Sequence, residues 1–455
     1  MRVIIVGAGQ VGSAITAALA GEKADVVVID MVDERLRELR DIHDIQTVCG
    51  SGANPRILDE AGLRSADMLI AVTDSDEVNM VACAISRVHA PLAIRVARVR
   101  EPAFLEDTAI LGADGIGVDH VINPELVAAN RISEILDVPF ATDVADCEPG
   151  LKLVGFRIPD GSPLEGKSFA ELRAISPNLR ILVTTRLRRG SCHVPQGADD
   201  IRAGDTLYAV TRPEDLTAVA RLFEFSWHTA KRITIAGSNG IGEMLAKELE
   251  KDTRFKVKII EPDSRRAEYL AQSLEKTLVL NGSATDESLL LEENIRDCDA
   301  YIAALPEPEM NVMAALNAKN LGAKRVIALT DRFSYIPIIE AAGVDAVVSP
   351  RALAVGTILH HIRKGKVKAV IPYGDSGQAE AIEFEALETA PAVGKPLKDI
   401  RFPRGAIVGA LIRDGKAIIP GGNDIINPGD DVYAFAIKSA IPKLEKLMTV
   451  RLEFF

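Results

Sequence analysis

A glycine turn is written twice in this chain. "VIIVGAGQVGSAIT" starts at Val3 and "ITIAGSNGIGEMLA" starts at Ile233. Each reads as an apolar strand, a glycine-rich turn and the start of a helix, the opening of a nucleotide-holding α/β fold. Gly7 and Gly12 recur as Gly237 and Gly242. The self-similarity continues: Asp30 ends "VVVID" and Glu261 ends "VKIIE", and Asn79 in "ADMLIAVTDSDEVNMVAC" corresponds to Asn311 in "CDAYIAALPEPEMNVMAA". "GADGIGVDHVINP" likewise answers to "GVDAVVSP". A repeat on this scale marks duplicated structural units.

A second pattern is doubled as well. "SPLEGKSFAEL" and "VPQGADDIRAGDTLYAV" match "APAVGKPLKDI" and "IPGGNDIINPGDDVYAF". The order is therefore large unit, small unit, large unit, small unit, with expected bounds 1–137, 138–226, 231–365 and 366–455. Seams are expected near Val138-Pro139, between Ser226 and Lys231, and between Gly365 and Lys368. Near-continuous Val/Ile runs in the large units predict strands buried on both faces, hence parallel sheets flanked by helices. The small units carry alternating strands with "AGD" and "PGD" turns, an α+β pattern. The fold class is α/β, with two tandem Rossmann-like doubly wound parallel-sheet domains, each followed by a small α+β domain.

At 455 residues the chain is too long for one core, and its net charge of -12 argues against nucleic acid as a partner. No apolar run reaches the roughly 20 residues that span a bilayer. No signal peptide precedes the first strand, and five scattered cysteines fit a reducing compartment, so a cytoplasmic protein is expected.

Gly7-Ala8-Gly9-Gln10-Val11-Gly12 is a G-x-G-x-x-G between a strand and a helix. Gly7 makes the tight turn, Gly9 admits a pyrophosphate close to the backbone, and Gly12 lets helix and strand pack. The helix N-terminus presents free N–H groups to phosphate. Asp30 can accept from both ribose hydroxyls and repels a 2′-phosphate, which favours NAD over NADP. In the second copy, Gly237-Ser238-Asn239-Gly240-Ile241-Gly242, Asn239 replaces the middle glycine and Glu261 stands in for Asp30. That leaves a weaker or altered nucleotide site and an empty structural copy both open. Asp74 and Glu77 read as a capping box. Arg98 and Arg100 either reach phosphates or form a solvated surface pair.

No acid–base constellation for hydride transfer is evident. Seven histidines are dispersed, and no metal motif, nucleophile elbow or Walker lysine occurs. A loop that holds nucleotide with nothing to transform it is better read as a sensor, with an NAD-dependent oxidoreductase as the alternative.

The opening "MRVIIVGAGQVGSAIT", with "VARVREP", "LEEN", "LGAKRVIALTDR" and "VVSPRALAVGTILHHIRKGKV", resembles the TrkA family of regulatory subunits of bacterial and archaeal potassium uptake systems. The likeness runs from Met1 to about Met448. It implies two tandem RCK units, each a Rossmann-like domain plus a small RCK C-terminal domain, and a homotetramer whose units form a gating ring. It implies NAD(H) and/or ATP/ADP in the first-domain cleft, and a TrkH/TrkG-like membrane potassium transporter subunit as partner, which places the protein on the inner face of the cell membrane. The contacts it carries over are Gly7, Gly9, Gln10, Val11, Gly12, Asp30, Thr73 and Arg98. In the second copy the family often has a glycine before the asparagine, whereas here the order is Asn239-Gly240. The second-copy candidates are Gly237, Asn239, Gly240, Ile241, Gly242 and Glu261.

Overall fold

Runs of Val and Ile without a polar break build the first sheet. Its strands are β1 (Arg2–Val6), β2 (Asp25–Asp30), β3 (Gln46–Cys49), β4 (Met68–Ala71), β5 (Ile94–Arg98) and β6 (His120–Ile122). All pairings are parallel, in the order β3-β2-β1-β4-β5-β6. Val3 to Val6 are at most 1% exposed, as strands covered by helices on both faces must be. The winding reverses between β1 and β4, the switch point at which such sheets hold ligands. The computed structural model describes residues 1–22, 24–106, 108–147, 150–176, 179–332, 335–363, 366–374 and 377–449. The expected seam residue Gly365 and the expected end at 450–455 lie outside the described residues.

The first small sheet follows: β7 (Asp143–Cys147), β8 (Leu151–Arg157), β9 (Ile181–Arg188), β10 (Ser191–His193) and β11 (Thr206–Thr211), antiparallel in the order β10-β9-β11-β8-β7. The second parallel sheet is β12 (Arg232–Ala236), β13 (Lys256–Glu261), β14 (Leu278–Asn281), β15 (Ala300–Ala303), β16 (Val326–Leu329) and β17 (Ala346–Val348). Its order, β14-β13-β12-β15-β16-β17, is that of the first parallel sheet. The second small sheet is β18 (Val367–Tyr373), β19 (Ala379–Glu385), β20 (Ala406–Arg413), β21 (Lys416–Ile418) and β22 (Asp431–Ile437), ordered β18-β19-β22-β20-β21. Read from its other edge, this matches the first small sheet strand for strand.

The small sheets depart from simple alternation. Every residue of β11 is buried. One cause is a shared core: Leu153, Leu187, Tyr208 and Val210 pack with Tyr373, Ala410, Tyr433 and Phe435 of the other small sheet. The Tyr208 and Tyr373 rings lie 4.8 Å apart, and the Tyr373 hydroxyl is 2.7 Å from Thr185 Oγ1. On the opposite pleat, Phe156 packs edge-on against Phe223, which follows the helix Leu216–Leu222. Covered on both faces, these strands lose the polar positions that alternation supposes.

Two compact units result: Met1–Val127 with Arg351–Ile358, and Ala128–Pro350 with Leu359–Phe455. Within the second, Arg325 donates to the carbonyls of Ile135 at 2.9 Å and Val138 at 3.3 Å. These carbonyls lie at the C-terminal end of the helix Pro124–Asp137, where a cation is favoured. Burial pulls the Arg325 guanidinium down to about 10.

Candidate nucleotide site

The three glycines of the first turn answer to different constraints. Gly7 has φ +109°, and a Cβ there would lie 3.0 Å from backbone atoms of Val72 and Thr73. A Cβ on Gly12 would lie 1.8 Å from the Gly7 carbonyl oxygen, so only glycine lets the helix Gln10–Gly21 sit against the turn. At Gly9 a Cβ would meet nothing within 4 Å. Internal packing therefore requires Gly7 and Gly12, whereas Gly9 keeps clear a space outside the chain. Gly9 is also the N-cap and offers no side-chain cap, and the first helical turn carries no acid. Gln10 is exposed and Val11 half-buried at this end. An uncapped helix start beside a vacant glycine face suits a phosphate group.

Asp30, at the end of β2, fixes that turn. Its Oδ2 accepts from the Ala8 N–H at 2.6 Å and its Oδ1 from the Val32 N–H at 2.8 Å. Each oxygen keeps lone-pair capacity for a further donor such as a ribose hydroxyl. Next to it the Gly50 N–H donates to the Asp30 carbonyl at 2.9 Å. A Cβ on Gly52 would lie 2.0 Å from Val6 Cγ1, so this loop hugs the end of β1.

Thr73 stands just beyond β4, and a residue outside the carried-over contacts holds it. The fully buried Asn79 accepts from the Thr73 N–H at 2.9 Å and from its hydroxyl at 2.8 Å. Its amide donates to the Thr73 carbonyl at 3.2 Å and the Arg98 carbonyl at 2.9 Å, tying the ends of β4 and β5 together. The second copy repeats the device: Asn311 accepts from the Leu305 N–H and donates to the Leu305 and Leu329 carbonyls. The recurrence of the asparagine was the sequence signal for this role.

Two sequence expectations change here. Arg98 is no solvated arginine: it is 8% exposed and held by Glu125 and by Asp74 at 3.2 Å. A phosphate would have to compete with these carboxylates for its guanidinium. The helix Asp76–His89 is capped by Ser75 and not by Asp74, with Ser75 Oγ accepting the Val78 N–H at 3.2 Å. Ser75 takes extended backbone with its hydroxyl over the first turn, which leaves the Asp74 carboxylate to face Arg98. Glu77 bonds the same hydroxyl at 2.7 Å, and this holds its carboxyl below the usual range.

The second loop has its own side chains where the first has open space. Gly237 and Gly242 repeat the packing of Gly7 and Gly12: their Cβ atoms would lie 2.6 Å from the Ala304 oxygen and 2.1 Å from the Gly237 oxygen. Asn239 caps the helix Gly240–Leu249 by accepting from the Gly242 N–H at 3.3 Å, while Ile241 is buried. Glu261 accepts from the Ser238 hydroxyl and from the Asp263 N–H at 2.9 Å. Arg266 crosses the loop, bonding Ser238 Oγ at 3.3 Å and its carbonyl at 3.2 Å and pairing with Glu243. The first copy has Ser13 in place of Glu243, and its matching arginine, Arg35, is 51% exposed and 3.9 Å from Asp30. Glu243 and Arg266 are informative residues that motif reading passed over; only comparison of the two copies beyond the glycines reveals them.

The TrkA-N domain family model matches residues 3–124 and 233–350, and the TrkA-C domain model matches 153–224 and 381–449. The chain belongs to the TrkA family. Proteins named Trk system potassium uptake protein TrkA from Halomonas elongata and Azorhizobium caulinodans are 36% and 35% identical, with full coverage of both chains. A TrkA homolog 1 from Methanosarcina mazei is 37% identical, covering 98% of this chain and 99% of its own. Among solved structures, the GsuK channel bound to NAD superposes with TM-score 0.61 at 18% identity, covering 98% of this chain and 78% of that one. The GsuK RCK domain does so with the same score and identity, covering 94% of that chain. At this identity these likenesses establish the fold alone, two Rossmann-like domains each followed by a small domain. Among the described residues no helix is long and apolar enough to cross a membrane, and no group of three or more His, Cys, Asp or Glu could hold a metal ion.

Proposed function

We propose that this chain is the regulatory subunit of a potassium uptake system, binding NAD(H) or ATP/ADP at the first glycine turn without transforming it. Bound nucleotide biases a ring of RCK domains, in a homotetramer on the inner face of the cell membrane, between two shapes that open and close a TrkH/TrkG-like transporter. The vacant face of Gly9 at an uncapped helix start, with Asp30 alongside, carries the reading. The names of the full-length relatives supply its context. Contacts are assigned to Gly7, Gly9, Gln10, Val11, Gly12, Asp30, Thr73 and Arg98. The second loop, from Gly237 to Gly242 with Glu261, is assigned a closed, structural role.

A ligand moves such a ring only by its unequal affinity for two states. Calorimetric titration of NAD, NADH, ATP and ADP, followed by potassium uptake in vesicles carrying the transporter, tests this. Uptake that responds to nucleotide in the parent and not in Gly9→Asp supports the reading. Steady oxidation or reduction of the bound nucleotide with alcohols or hydroxy acids would favour the oxidoreductase.

A further inference from the structure

A cavity of about 390 Å³ beside the first small sheet is lined by Arg157, Arg188, Arg189 and Arg202, together with Asp205, Pro337 and Glu340. Four arginines in the lining of one cavity are unexpected in a chain of net charge -12. The fold accounts for one of them. Arg188 is clamped by Asp205 at 2.6 Å and Asp200 at 3.0 Å, and Arg413 makes the equivalent clamp to Asp430 in the second small sheet. Arg202 pairs with Asp200, whose carboxyl is drawn down to about 2 by the hydrogen bonds from Arg202 and Arg188. Arg157 and Arg189 have no carboxylate within ion-pair distance among the described residues.

The duplication supplies an internal control. Arg157 pairs with Thr206 across β8 and β11, and the matching pair across β19 and β22 is Glu385 with Asp431. The hairpin Arg189-Gly190 matches Asp414-Gly415, and Arg202 matches Asn427. The same scaffold thus places Glu385, Asp414 and Asn427 where the first copy has three arginines, so the fold itself does not ask for cations. Arg189 goes further: it sits at φ +51°, as does Asp414. That left-handed hairpin position suits Asp, Asn or Gly, and the second copy obeys the preference while the first does not.

We propose that this cavity binds a small polyphosphate-bearing anion, with Arg157 and Arg189 as its main contacts and Arg202 at the rim. Planar guanidinium forks match phosphate oxygens two at a time, and several of them converging favour a multiply charged ligand. The volume is that of a small-molecule site and far exceeds what a halide needs. The free anion and the polyphosphate tail of a nucleotide share this chemistry, so both serve as probes.

The intact protein, saturated with NAD, is titrated by calorimetry with sodium tripolyphosphate and, separately, with ATP. Saturable binding of tripolyphosphate is expected; ATP, which also competes with NAD at the glycine turn, is read only as the binding that Arg157→Glu with Arg189→Asp removes. Arg157→Glu with Arg189→Asp installs the residues of the second copy and should weaken binding by at least about tenfold while NAD affinity holds. If that pair disturbs folding, seen as lost NAD affinity, Arg189→Gln alone is held to a weaker-than-parent criterion. Absence of binding to either probe, or unchanged affinity in the folded variant, overturns the proposal.

Discussion

The side chain of Asn239 accepts the N–H of Gly242, a cap that Gly9 does not provide at the matching point of the first copy. With Arg266 laid across Ser238 and paired to Glu243, the second loop engages internally the Gly242 N–H and the Arg266 guanidinium, two donors that a phosphate would seek. One nucleotide per chain is therefore expected in equilibrium dialysis against NAD. Restoring the first-copy character with Asn239→Gly and Glu243→Ser, which frees Arg266 as its counterpart Arg35 is free of such a partner, should raise the ratio toward two. Two equal sites in the parent would refute the closure.

Gly9 and Gly12 should separate function from stability. Gly9→Asp projects a carboxylate into open space, so its melting temperature should stay within about 2 °C of the parent while nucleotide affinity falls beyond detection. Gly12→Ala drives a Cβ against the Gly7 carbonyl and should cost about 3 kcal/mol in urea unfolding. If Gly9→Asp unfolds the domain, or keeps full affinity, the assignment of that face is wrong.

Both parallel sheets were legible because burial on two faces writes itself as unbroken Val and Ile, as in β1. Gly7, Gly9 and Gly12 were legible because each has a geometric task at a fixed spacing. The paired state of Arg98 was not: Glu125 lies 27 positions on, and an ion pair across that distance leaves no periodic trace. The shared core of the small sheets was hidden for a similar reason. Tyr208 and Tyr373 meet across 165 residues, and each small unit looks self-sufficient when read alone.

Asn79 links Thr73 to the end of β5, so its loss is felt at two elements. Asn79→Ala strands the Thr73 N–H and the Arg98 carbonyl in a buried site and should destabilise by about 2 kcal/mol. Because Thr73 is released, nucleotide affinity should fall as well, by about tenfold. Asn311→Ala should match the stability loss without the loss of affinity, since its loop is assigned no ligand. Equal effects on affinity would contradict that asymmetry.

Glu134 predicts an inverted pH dependence. It lies on the helix Pro124–Asp137, where Arg131 is drawn to Asp143 at 2.8 Å and stays 3.7 Å from Glu134. Burial pushes the Glu134 carboxyl up to about 7, against the opposing pull of Arg131. Between its ordinary 4.5 and about 7 the folded chain keeps a proton that the unfolded chain releases. The stabilising contribution is thus complete below that window and is lost as pH rises through it, the reverse of a salt-bridged carboxylate. Glu134→Gln holds the neutral form at every pH. Relative to the parent it should gain about 1–3 kcal/mol between pH 5 and pH 8 in urea unfolding. A difference that does not change across that interval would mean that Glu134 is ionised in the folded chain throughout.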